Sequence, residues 1–98
     1  MSDLAALSEL VHGYFHQDWV YEYADPWDVV DEFIAEKPQL AAKLPAEVNS
    51  VLQEHQSEAQ LKQLLRELRF GYHVQAHGWT YRNWLLAVAD RMKQAKAG

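Results

Sequence analysis

Residues 25–36, DPWDVVDEFIAE, carry the clearest helix signal in the chain. The Asp25 side chain can accept from the free N–H groups of a first helical turn, and the proline that follows loses no hydrogen bond there. Apolar residues then recur at the spacing of one helix face, with acidic residues on the opposite face. The segment predicts an amphipathic helix that is capped by Asp25 and ends near Glu36.

Helical periodicity continues toward the N-terminus and past this helix. Residues 2–16 predict an N-terminal helix, whereas residues 17–24 show no helical stripe and are predicted to be non-helical. Pro38 and Pro45 are each expected to end or restart a helix, because proline lacks the N–H that a helix interior requires. This interpretation leaves a short helix over residues 45–53.

Two further helices are predicted in the C-terminal half. Ser57 and Gln60 form a capping-box pattern ahead of a leucine-rich helix. That helix is expected to end near Phe70, with Gly71 as its terminating glycine. After a loop, Thr80 is a suitable cap for a last helix.

Composition agrees with one small globular domain. The 98 residues are 49% apolar and 23% charged, which is ordinary for a folded protein and argues against disorder. No strand pattern and no internal repeat interrupts the helical periodicity. Residues 1–98 are therefore predicted to form a single all-α domain, a compact bundle of five or six short helices.

Charge is distributed unevenly along the chain. Residues 1–36 contain nine acidic residues and no lysine or arginine, whereas residues 37–98 contain nine basic and five acidic ones, so local charges of −9 and +4 make up the net −5. Binding to phosphates needs clustered Lys and Arg, so we expect no direct contact with nucleic acid. A basic partner protein is the natural alternative, because it would relieve the self-repulsion of the acidic segment.

Location and redox environment follow from what the sequence lacks. No apolar stretch approaches the roughly 18 residues that a membrane-spanning helix needs, and no secretory signal pattern is visible. With no cysteine the chain holds no disulfide and no thiolate nucleophile, which is consistent with a reducing compartment. We expect a cytoplasmic protein that makes no contact with a membrane.

Two histidine pairs have the spacing of a helical zinc site. His12 and His16 are four residues apart, and His73 and His77 repeat this spacing. Neither pair has the glutamate of a metalloprotease motif, and bare spacing is a weak signal. We therefore predict no metal site and no cofactor, and keep a small metal-dependent enzyme as the third alternative.

An enzymatic function would rest on one acid–base group. His16, Asp18 and Glu22 lie close in sequence and could act as general acid and base. The chain has no glycine-rich phosphate loop, no nucleophile elbow and no cysteine nucleophile. We therefore expect a protein without catalytic residues.

Aromatic residues are abundant, with four Trp, five Tyr and three Phe. Those on the inward stripes of predicted helices are expected in the core: Tyr14, Phe15, Trp27, Phe33 and Trp84. Trp19, Tyr21 and Tyr23 instead lie beside acidic residues in the segment predicted to be non-helical. Aromatic anchors rimmed by charge are typical of protein interfaces.

The block Tyr14-Phe15-His16-Gln17-Asp18-Trp19 resembles the CdiI family, the immunity proteins of bacterial contact-dependent growth inhibition. The resemblance extends over nearly the whole chain and includes four further blocks: WDVVDEF at 27–33, SE at 57–58, GY at 71–72 and YRNWL at 81–85. The first block is the specific part, because the aliphatic helices alone would fit many helical proteins.

This resemblance implies a protein that binds and neutralises the C-terminal toxin domain of a cognate effector delivered between neighbouring cells. Such toxin domains are frequently nucleases, which present a basic groove to their phosphate substrate. The acidic and aromatic surface expected to face the toxin comprises Asp18, Trp19, Glu22, Tyr23, Asp25, Asp28, Asp31 and Glu32. The inhibitor could occlude the active site or bind beside it, and its oligomeric state stays open.

Besides the metal-dependent enzyme, which ranks third among the possible functions, two alternatives remain at this point. Asp18 is equally compatible with a structural role, in which its carboxylate holds a loop or caps a helix within the family block. The second alternative concerns function: a non-enzymatic helical regulatory or scaffold module that binds a partner helix in a groove.

Overall fold

The computed structural model describes residues 4–15 and 19–97, within which every regular element is a helix or a helical turn. The elements in chain order are α1 (Ala5–Ser8), a π-helical segment (Glu9–Tyr14), α2 (Trp19–Glu22), α3 (Pro26–Glu36), α4 (Pro38–Glu54), α5 (Glu58–Glu67), a 3-10 turn (Val74–His77) and α6 (Tyr81–Ala97). The predicted all-α class is confirmed.

Three predicted helix starts are confirmed by side-chain hydrogen bonds. Asp25 Oδ1 accepts from the backbone N–H of Trp27 at 2.7 Å at the start of α3. Ser57 Oγ and Gln60 Oε1 each accept from the other residue's N–H at 3.2 Å, which completes the capping box of α5. Thr80 Oγ1 accepts from the N–H three residues later at 3.1 Å and caps α6. Each bond satisfies an N–H that has no partner within its own helix.

The prediction that residues 17–24 are non-helical is wrong for α2. Trp19–Glu22 form one helical turn, and Tyr23 N donates to Trp19 O at 3.0 Å. A single turn is too short to show a repeating apolar stripe, so the pattern could not reveal it. Burial of the Trp19 side chain in the core holds the turn in place.

The prediction that Pro45 ends a helix is also wrong. Pro38 opens α4, and the helix runs through Pro45 to Glu54. An interior proline costs about 3 kcal/mol, since it has no N–H to donate to the carbonyl of Ala41. The apolar stripe on either side of Pro45 is buried: Ala41, Leu44, Val48, Val51 and Leu52. Packing of this stripe against α1, α3 and α6 outweighs the cost.

The C-terminal end of α5 differs from the prediction as well. Arg69, not Gly71, occupies the left-handed position, with φ of 66°. Phe70 N donates to Leu65 O at 3.0 Å, and Arg69 N donates to Arg66 O at 3.0 Å. These two bonds make a Schellman motif with a non-glycine residue at its strained position.

Helices α4 and α6 form the centre of the bundle. α6 packs against α4, α5 and α3, and α4 also packs against α1 and α3. Fully buried side chains from every long helix meet between them: Leu7, Leu10, Val11, Val29, Val30, Phe33, Leu44, Leu61, Leu65, Trp84 and Leu85. Of the five aromatic residues predicted in the core, Tyr14, Phe15, Phe33 and Trp84 are buried and Trp27 is half-buried.

Five rings form an aromatic cluster at one end of the core: Phe15, Trp19, Phe70, Tyr72 and Trp84. The Phe15 ring is central, with centroids of the other four 5.4 to 5.7 Å away. The backbone joins the same parts of the chain, because Gly71 N donates to Phe15 O at 2.7 Å. The aromatic cluster thus ties the N-terminal segment to the connection between α5 and α6.

Candidate partner-binding surface

The residues predicted to face a toxin divide between the core and the surface. Asp18 lies outside the described residues. Trp19 is only 6% exposed, because it belongs to the aromatic cluster and its Nε1 donates to Gly71 O at 3.3 Å. Trp19 therefore helps to hold the fold, and its ring is withdrawn from the surface.

Tyr21 is the aromatic side chain of α2 that faces solvent, with 85% of its surface exposed. In an extended segment Trp19, Tyr21 and Tyr23 would share one side, because side chains alternate with a period of two. In a helical turn, residues two apart point about 200° from each other, so Trp19 inside places Tyr21 outside. Its exposed neighbour Glu22 lies on the same turn.

Asp31 on α3 is engaged by Arg91 on α6. Arg91 Nε donates to Oδ1 at 2.7 Å and Nη2 to Oδ2 at 2.8 Å, and the guanidinium lies 5.2 Å from the centroid of the half-buried Trp27 ring. The hydrogen bond from Arg91 lowers the pKa of Asp31, and the same bond raises the pKa of Arg91. This bidentate pair joins two helices. The sequence assigned Arg91 only to a helix end, since no local pattern indicates a partner 60 residues away.

Glu32 and Glu36 face tyrosines of the N-terminal segment. Tyr14 Oη donates to Glu36 Oε1, and the half-buried Tyr23 interacts with Glu32. This interaction with the Glu32 carboxylate, together with burial, raises the pKa of Tyr23 to about 12. Burial, followed by the bond to Glu36, raises the pKa of Tyr14. Both carboxylates thus attach α3 to the residues before it.

Glu9 makes a comparable link at the C-terminal end of α3, beside Glu36. Its Oε1 lies 2.6 Å from Lys37 Nζ, the residue between α3 and α4. The Glu9 side chain passes over Gly13, where an added Cβ would stand 3.1 Å from Oε1. A glycine within the π-helical segment therefore allows this close approach.

Asp28 differs from the other acidic residues of α3. Its carboxylate is exposed and makes no hydrogen bond or ion pair with the described part of the chain. Asp25 is also exposed, although one of its oxygens caps the helix. The start of α3 is therefore where acidic side chains face solvent, next to the exposed residues of α2.

A buried carboxylate that the sequence analysis did not single out lies on α4. Glu47 is 9% exposed, and its two oxygens accept from Ala6 N at 3.1 Å and Leu7 N at 2.8 Å. It thereby caps α1 from another helix. The sequence feature that indicates its burial is its position three residues after Leu44 and four before Val51, which places Glu47 on the inward stripe of the helix.

The histidines are dispersed in the described ranges. His12 and His73 are exposed, and His77 Nδ1 bonds to Tyr72 Oη, while His16 is outside those ranges. Residues 4–15 and 19–97 contain no cluster of three or more His, Asp or Glu side chains suited to hold a metal ion. No helix in these two ranges has the length and apolar character to cross a membrane.

Comparison with known proteins identifies one family. A sequence model of the family described as CdiI immunity protein matches residues 3–92. No curated protein and no solved structure gives a match. The family match includes the acidic N-terminal third, the aromatic cluster and most of α6, and it confirms the resemblance noted at residues 14–19.

Proposed function

Because the chain belongs to the CdiI immunity protein family, we propose that it binds the C-terminal toxin domain of a cognate contact-dependent growth-inhibition effector and blocks that domain in the cytoplasm. The family match over residues 3–92 carries this proposal. Neutralisation by binding needs neither catalytic residues nor a cofactor, so in this proposal the protein acts as a stoichiometric inhibitor.

The charge of the N-terminal third supports a toxin with a cationic surface. Nine acidic residues and no basic ones occur in residues 1–36. A nuclease binds a polyanion and must carry a cationic groove, which an acidic inhibitor can cover or flank. Long-range attraction between the two surfaces also speeds their encounter, which matters for an inhibitor that must act before the toxin does.

Position on the fold and contacts with other helices divide the residues predicted to face the toxin into two groups. We assign the toxin-facing surface to exposed side chains of α2 and the start of α3: Tyr21, Glu22, Asp25 and Asp28. Asp31 is also exposed but pairs with Arg91 of α6, and Tyr23 interacts with Glu32, so these residues connect α3 to other segments and position this surface. Asp18 stays in the proposed surface on its sequence position, and Tyr21 replaces Trp19 as the aromatic anchor.

A matched pair of charge reversals tests this assignment. Asp28→Lys and Glu67→Lys each replace an exposed carboxylate that makes no hydrogen bond or close ion pair within the described residues, one on α3 and one on α5. We expect Asp28→Lys to slow association with the purified cognate toxin domain by on the order of 10-fold at low salt, with a smaller effect at high salt. Glu67→Lys should change the rate little. Stopped-flow fluorescence at several ionic strengths measures both.

The same experiment distinguishes a wrong assignment of the surface from a wrong function. Equal association rates for the two variants at every salt concentration would show that the start of α3 does not face the toxin. A wild-type protein that neither binds the toxin domain nor protects cells expressing it would remove the proposed function itself. Tyr21→Ala supplies an independent check, because losing an aromatic anchor should mainly accelerate dissociation.

A further inference from the structure

A cavity of about 330 Å³ lies where α5, the 3-10 turn and the start of α6 meet. Lys62 and Arg66 are one turn apart on α5 and line the cavity together with His73. The remaining lining residues are apolar, aromatic or amide side chains: Leu65, Phe70, Tyr72, Gln75 and Tyr81. No acidic side chain lines this cavity, which we call the cationic pocket.

The two cations of the cationic pocket are not used by the fold. The side chains of Lys62 and Arg66 are exposed and make no ion pair or hydrogen bond within residues 4–15 and 19–97. Glu58, one turn before Lys62, would be the usual helical partner. Its carboxylate instead accepts from Tyr81 N at 2.8 Å and Arg82 N at 3.0 Å. An acidic protein thus keeps two uncompensated positive charges beside a concave surface.

The cationic pocket lies close to the acidic surface. α5 and α3 both pack against α6, so the two surfaces belong to helices that flank one helix. Tyr72, which lines the pocket, has its pKa raised by burial and additionally by the negative charge of Asp25. Asp25 is therefore within electrostatic range of a pocket residue, and one protein partner can reach both sites.

We infer that the cationic pocket receives an acidic side chain of the toxin domain, together with an apolar neighbour of that side chain. This would be a second contact with the toxin, opposite in charge to the contact made by the acidic surface of α2 and the start of α3. This inference rests on the proposed function. Arg66 offers a planar fork for a carboxylate, Lys62 adds a point charge, and Phe70 and Tyr81 provide apolar walls. The volume is at the lower end of ligand sites, which suits one or two side chains rather than a helix.

Two contacts of opposite sign make binding selective. An acidic surface alone attracts any cationic protein, whereas an additional cationic pocket penalises partners that lack an acidic residue at the matching place. The two contacts of opposite charge also fix how the toxin is oriented on the immunity protein. Cognate recognition then depends on the relative placement of the two charges and not on the net charge of −5.

Matched double charge reversals test the inference. Lys62→Glu with Arg66→Glu reverses the pocket, and Lys43→Glu with Lys93→Glu makes the same change in net charge at exposed positions on α4 and α6. We expect the pocket variant to bind the purified toxin domain on the order of 10- to 100-fold more weakly than the control variant. Circular dichroism should show equal folding of both, since all four side chains are exposed and make no hydrogen bond or ion pair within the described residues.

Equal affinities of the two double variants for the toxin domain would overturn the inference, while binding by the wild type would leave the proposed function intact. Titration with inorganic phosphate provides a second readout. The inference would also be overturned if phosphate bound saturably to the wild type, did not bind to the pocket variant, and displaced no toxin. The cavity would then be a site for small anions. Competition between phosphate at high concentration and the toxin domain, abolished in the pocket variant, is the expected result.

Discussion

Two glutamates make the same pair of hydrogen bonds in different regions of the molecule. Glu47 on α4 accepts from two first-turn N–H groups of α1 and is 9% exposed. Glu58 on α5 accepts from two first-turn N–H groups of α6 and is exposed. In both cases a carboxylate from a neighbouring helix completes a helix end and suits the helix dipole. Burial, and not bond geometry, is what distinguishes them.

This comparison shows why equal contacts are not equal in energy. If Glu58 is removed, water can hydrate the N–H groups that it leaves. If Glu47 is removed, no water replaces it unless the core opens, so the groups stay unsatisfied. The buried cap, Glu47, should therefore determine whether α1 packs onto the core, whereas the exposed cap, Glu58, should affect only the stability of the first turn of α6.

The largest effect is expected for Glu47→Ala. Two N–H groups lose their acceptor in the core, and the free energy of unfolding should fall by about 2–3 kcal/mol. Glu47→Gln keeps one acceptor oxygen and should lose roughly half as much. Urea denaturation followed by circular dichroism measures both, with the exposed Glu67→Ala as the control. A loss no larger than that of the control would contradict the assignment.

The interactions between tyrosines that precede α3 and the carboxylates in its C-terminal half predict the next effect, at alkaline pH. A tyrosine ordinarily has a pKa of about 10, whereas Tyr23 in the folded protein has a pKa of about 12. Above pH ~10 the unfolded chain loses this proton and the folded chain keeps it, so stability is full below pH ~10 and falls as the pH rises toward 12.

Tyr23→Phe should make this alkaline loss of stability shallower, and Tyr21→Phe, which alters a side chain that is 85% exposed, should leave it unchanged. Denaturation at a series of pH values between about 9 and 11 provides the measurement. The same slope in all three proteins would mean that Glu32 and burial do not raise the pKa of Tyr23 in solution.

A smaller loss is expected for Glu58→Ala. Water can replace the carboxylate, so the free energy of unfolding should fall by about 0.5–1 kcal/mol. Hydrogen exchange should locate the change in the first turn of α6. If Glu58→Ala costs as much as Glu47→Ala, the proposed difference between a buried and an exposed helix cap is wrong.

The smallest effect is a gain in stability at the C-terminal end of α5. Arg69 has φ of 66°, a conformation that glycine adopts without strain. Arg69→Gly should raise stability by about 0.5 kcal/mol, since part of the relief is offset by the greater freedom of the unfolded chain. Gln63→Gly, in the interior of the same helix, should instead lower stability by about 1 kcal/mol. Thermal denaturation distinguishes the two signs.

Several elements followed from local sequence alone. The helix over residues 26–36, the capping box at Ser57 and the cap at Thr80 are set by neighbours within four residues, so a linear pattern contains the relevant information. The continuous helix through Pro45 was not predictable in this way. Its penalty is local, whereas the packing that outweighs it comes from other helices.

The candidate surface was only partly predictable. The sequence located the acidic segment, but it could not separate side chains that bond within the fold from those that face solvent. Asp31 pairs with Arg91, 60 residues away, and Trp19 bonds to Gly71, 52 residues away. A sequence places no such partners, because burial and distant pairing appear only when the helices pack.

The sequence by itself determined the all-α class, the family and the separation of negative charge from positive. These properties depend on residue type and on short spacings, which the chain carries in any conformation. Only the tertiary structure decided that Glu47 is a buried cap, that Tyr21 and Asp28 are exposed, and that Lys62 and Arg66 border a cavity without a partner. Each of these depends on which helix lies against which, because solvent exclusion and long-range pairing are properties of the packed chain.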